Sequence, residues 1–111
     1  MTVRDIVAER KREMIGGILP ARAREILVEL TMYYGTCLDA VRATEHGYHL
    51  VLLKHLDSGE PANRAKIRAQ TSPEYQAMRE AKDTMDFVLE TIRSLKASLR
   101  SLDTEMRELS R

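Results

Sequence analysis

Six cations in two short runs are the residues of this chain best suited to chemistry with a ligand: Arg10, Lys11 and Arg12 near the start, and Arg64, Lys66 and Arg68 in the middle. Guanidinium and ammonium groups at this density suit a phosphate backbone, to which they contribute affinity without reading sequence. The total charge of +1 hides them, because charge segregates along the chain. Residues 1–24 carry a net +3, residues 25–60 a net −4, residues 61–72 a net +3 with no acid, and residues 73–111 a net −1. An assembly of several protomers would gather copies of each run into a stronger local field. A further series, Arg93, Lys96, Arg100, Arg107 and Arg111, recurs at helical spacing. Glu90 and Asp103 precede Arg93 and Arg107 by three and four residues and are placed to pair with them, so this series reads as ordinary surface charge.

The other reactive residue types point away from catalysis. Glu45 and His49 lie one helical turn apart, with His46 and His55 nearby, but no matching cluster recurs to complete a metal site. Cys37 is the only cysteine and falls on an apolar helical face, as an inert thiol would. Gly16-Gly17 lacks the spacing and the following Lys-Ser/Thr of a phosphate-binding loop. We expect no enzyme activity, no cofactor and no metal. Tyr34 and Tyr48 sit on the apolar seam, whereas Tyr33 and Tyr75 are more open candidates to stack on bases.

The elements that must carry these residues are helical. Charged residues are 32% of the chain and aromatics 5%, with no Trp, a balance that excludes a β-sandwich or barrel. Thr2 and Asp5 have capping-box spacing and open a short helix over about 3–15, which Gly16-Gly17 ends. Pro20 suits the first turn of a second helix, from 20 to 56. Its seam is Ala23, Leu27, Leu30, Tyr34, Cys37, Val41, Thr44, Tyr48, Val51 and His55, and runs through Gly35 and Gly47 in phase. A basic connection follows over 57–72, with one or two helical turns over 63–70. Thr71 with Glu74, or Ser72 before Pro73, caps a last helix over about 73–110. There Met78, Ala81, Met85, Val88, Ile92, Leu95, Leu99, Leu102, Met106 and Leu109 alternate steps of three and four, an a/d heptad repeat.

The expected fold is therefore all-α: a single domain over 1–111, with a short N-terminal helix followed by a long antiparallel helical hairpin bearing coiled-coil heptads. Leu95, Leu99 and Leu102 are expected in its core. A two-helix hairpin cannot cover both the seam and the flanking Ile26, Tyr33, Leu38, Leu52, Phe87 and Leu89, so these are expected to form a homo-oligomer interface. The start is too charged for a secretory signal and no apolar run is long enough to span a bilayer, which predicts a cytoplasmic protein without membrane contact.

The succession Leu52-Leu-Lys-His-Leu-Asp-Ser-Gly59, Arg64-Ala-Lys-Ile-Arg-Ala-Gln70 and Pro73-Glu-Tyr75 resembles small helical proteins of bacteriophage replication and recombination modules. It is most similar to the recombination mediators that help load a recombinase onto single-stranded DNA, over about residues 24–111. The resemblance implies an oligomeric helical accessory protein that binds single-stranded DNA through Arg64, Lys66 and Arg68, with a recombinase or replication protein as partner. The competing expectation is a coiled-coil scaffold or adaptor acting only through protein–protein contacts.

Overall fold

Each helix boundary has a local cause. Thr2 and Asp5 form a reciprocal capping box, in which Asp5 N–H donates to Thr2 Oγ1 at 3.2 Å and Thr2 N–H donates to Asp5 Oδ2 at 3.1 Å. The Thr2 backbone donor holds the Asp5 carboxyl below its ordinary range. Helix α1, Val3–Ile15, then stops where Gly17 adopts φ +85°. Helix α2, Pro20–Asp57, begins on a proline whose missing N–H costs nothing in a first turn. It ends where Ser58 and Gly59 donate back to the carbonyls of Lys54 and Leu56 and Gly59 turns to φ +88°. Helix α3, Ala62–Gln70, follows Pro61. Helix α4, Pro73–Leu109, is capped by Ser72, whose Oγ accepts the Tyr75 N–H at 3.2 Å; the Thr71 hydroxyl instead donates to the Arg68 carbonyl.

The computed structural model describes residues 1–110, and among these there are four helices and no strand. The fold is thus all-α, and α1 precedes two long helices separated by the short α3. No helix among the described residues is long and apolar enough to cross a membrane.

The chain packs as two compact units, with α2 and α4 each contributing to both. The first joins Met1–Gly35 with the chain from Asp86 onward. Its core holds Val7 of α1, Ala23, Ile26 and Leu30 of α2, and Val88, Thr91, Ile92 and Leu95 of α4. The small Thr91 is tolerated there because its hydroxyl donates to the Phe87 carbonyl at 2.8 Å, leaving no unpaired polar group. Polar contacts hold α1 in this unit. Arg10 grips Glu29 with two hydrogen bonds, Nε to Oε2 at 2.9 Å and Nη2 to Oε1 at 3.2 Å, and Arg22 Nε reaches Glu13 at 2.7 Å.

The second unit is Thr36–Met85, with Cys37, Val41, Tyr48, Ala65, Ala69 and Met78 buried. Tyr48, Ala69 and Met78 pack as one cluster, flanked by Val51, Leu52 and Tyr75. Helix α3 is buried only at Ala65 and Ala69, one turn apart, and Ala69 joins this cluster.

Two expectations about the core are corrected. Ile26 is 0% exposed, so it belongs to the interior of the first unit and is unavailable to an oligomer interface. Its position flanks a two-helix seam, but α1 supplies a third helix and the core widens to include it. Leu95 is buried as expected, whereas Leu99 and Leu102 are only half-buried. They line an open groove of about 340 Å³ together with Met14, Ile18 and Ala23.

Candidate nucleic-acid interface

Helix α3 turns Ala65 and Ala69 inward, and the residues between them necessarily face out. Arg64, Lys66, Ile67 and Arg68 are all exposed. Arg64 and Lys66 have no ion-pair partner among the described residues. Arg68 differs: its Nη1 lies 2.9 Å from Glu60 Oε1. Glu60 is largely buried and its second oxygen, Oε2, has no hydrogen-bond partner. Of the three cations expected at the connection, two are free and the third is partly neutralised.

The N-terminal run divides more sharply. Arg10 pairs with Glu29 within the chain, with Glu13 a further 3.8 Å contact. The mutual effect is clear in both partners: Arg10 holds the Glu29 carboxyl below its usual range, and Glu29 raises the guanidinium further. Lys11 sits 5.5 Å from the centre of the Phe87 ring, with Arg4 at 5.8 Å, both within cation–π reach. Arg12 alone of the run is exposed without a partner among the described residues.

Both of the more open tyrosines are half-buried and make contacts within the chain. The Tyr33 hydroxyl donates to Glu29 Oε1 at 3.3 Å, and Tyr75 packs against Tyr48 with ring centres 5.2 Å apart. Glu45 pairs with Lys82 at 3.2 Å, and no group of three potential metal ligands occurs among the described residues. Burial pushes the Cys37 thiol up, away from the reactive thiolate.

Of the residues expected to lie between protomers, Tyr33, Leu38, Leu52, Phe87 and Leu89 are half-buried within their own chain. Leu52 leans on the Tyr48 cluster, and Phe87 lies under Arg4 and Lys11. The larger uncovered apolar surface is elsewhere. Met106 is 63% and Leu109 86% exposed, and Ile15, Leu19, Leu50, Leu53 and Ile67 are also exposed. The heptad register already marked Met106 and Leu109 as apolar seam; only the extent of the covering helices was missing from it.

No family model, curated protein or solved structure matches this chain. The functional reading therefore rests on the residues themselves.

Proposed function

We propose that the chain is a non-enzymatic, self-associating helical protein of the cytoplasm that binds the phosphate backbone of single-stranded DNA, as an accessory in phage-type recombination or replication. Its long helices pair antiparallel, a reading supported within the second unit by Glu45 beside Lys82 and Tyr48 beside both Met78 and Tyr75. The observation that carries the DNA reading is α3: two alanines anchor it, and its outward surface is basic with no acid on the helix. Contacts of this kind carry affinity and not base readout, which agrees with the engagement of Tyr33 and Tyr75 inside the chain.

The test is fluorescence anisotropy with an oligothymidine strand across a salt series. The expected result is binding that weakens steeply with salt, and a slope that falls by about 2 in Arg64→Gln/Lys66→Gln/Arg68→Gln, at about 0.7 per phosphate contact on a single strand. A scaffold acting through protein contacts alone is the second reading. It is favoured by the exposed apolar end of α4, and would leave the wild type without DNA binding at low salt.

A further inference from the structure

Of the basic series on α4, Arg111 lies outside the described residues, and the two local pairings open to the others are not made. Glu90 makes no ion pair with Arg93, and Asp103 turns from Arg107 to Arg24 of α2, at 3.8 Å. Arg93, Lys96, Arg100 and Arg107 are all exposed without a carboxylate partner among the described residues. At 100° per residue they fall within an arc of about 60° and extend along about 21 Å of the helix. Asp103, three residues after Arg100 and four before Arg107, is the acid beside the middle of that arc, and its ion pair brings Arg24 to the stripe's edge.

We propose that this face of α4, in the first unit, is a second binding track for the phosphodiester backbone of single-stranded DNA. The proposal rests on the single-stranded DNA reading above and extends it to a surface separate from α3. Three of the four cations are arginines, whose planar fork matches a phosphate bidentately. Between Arg93 and Arg107 the arc holds no apolar side chain, so the stripe lacks the buried anchor around which a protein–protein hot spot forms. Its chemistry is that of a polyanion contact, with affinity set by the number of phosphates neutralised.

Two opposed variants test this in the full chain. Arg93→Gln/Lys96→Gln/Arg100→Gln is expected to lower the salt slope for an oligothymidine strand by about 2 and to weaken binding more than tenfold at low salt. Helicity by circular dichroism and mass by light scattering are expected to be unchanged, since all three side chains are exposed. Asp103→Asn removes the acid beside the middle of the stripe and releases Arg24, so it is expected to tighten binding. An unchanged slope in the α4 variant, with a reduced slope in the α3 variant, would overturn this track and leave the α3 reading standing. The reverse pair of results would support the track and remove α3. A wild type that binds no strand at low salt would overturn both. Poly-glutamate competing as well as oligothymidine of equal charge would make the stripe a face for an acidic protein, and overturn the proposal.

Discussion

Arg10 and Arg64 are the same residue type in equally basic runs, yet the fold gives one a bidentate carboxylate and leaves the other in solvent. The difference arises because Glu29 lies on the neighbouring helix of the first unit, 19 residues away in sequence. No local pattern reports such a pairing. Local patterns do report the heptads: Val88, Ile92 and Leu95 fall on the α4 seam and are buried. Leu95→Ala is accordingly expected to cost about 2–5 kcal/mol in urea melts, the range for truncating a closed core site. Leu99→Ala faces the open groove and is expected to cost nearer 1 kcal/mol, because less apolar area returns to water. Gly35 meets nothing within 4 Å where a Cβ would stand, so Gly35→Ala is expected to stabilise α2 by about 0.5–1 kcal/mol in the same melts. At Gly59 the space is equally open but φ is +88°, and Gly59→Ala is expected to destabilise by about 1 kcal/mol.

At the scale of elements, helix starts and stops were readable because their signals are local: the Thr2 and Asp5 box, Gly17, Pro20, Gly59 and the serine before Pro73. The docking of α1 was not readable, since it depends on Glu13 and Glu29 meeting Arg22 and Arg10. That docking also has a pH signature. Hydrogen bonding to Arg22 and Arg10 holds both carboxyls below the ordinary glutamate range, so their stabilising contribution is complete above that range. It is lost as pH falls through the lowered folded values, where protonation removes the ion pairs. Thermal melts from pH 6 down to about pH 3 are expected to show the wild type losing more stability than Glu13→Gln/Glu29→Gln, whose side chains do not titrate. Parallel losses in the two proteins would mean that these pairs do not hold α1. Ile26 follows from the same event, because the third helix that these pairs recruit encloses a residue that a two-helix seam would leave at its margin.

For the whole molecule, the uncovered apolar surface and the basic surface make separate demands. Met106 and Leu109 continue the α4 seam beyond the buried Leu95, and such surface is expected to be covered by self-association at micromolar concentration. Light scattering is expected to give a mass above the 12.7 kDa of one chain, and Met106→Ser/Leu109→Ser is expected to lower it. A wild-type mass of one chain throughout that range would contradict assembly. The central claim is that exposed cations, above all those on α3, track the backbone of single-stranded DNA. The measurement that tests it most directly is the salt dependence of oligothymidine binding by the wild type and by Arg64→Gln/Lys66→Gln/Arg68→Gln. The account predicts a steep wild-type slope that falls by about 2 in the variant, with assembly intact. No binding at low salt, or a variant with unchanged affinity and unchanged slope, would contradict it.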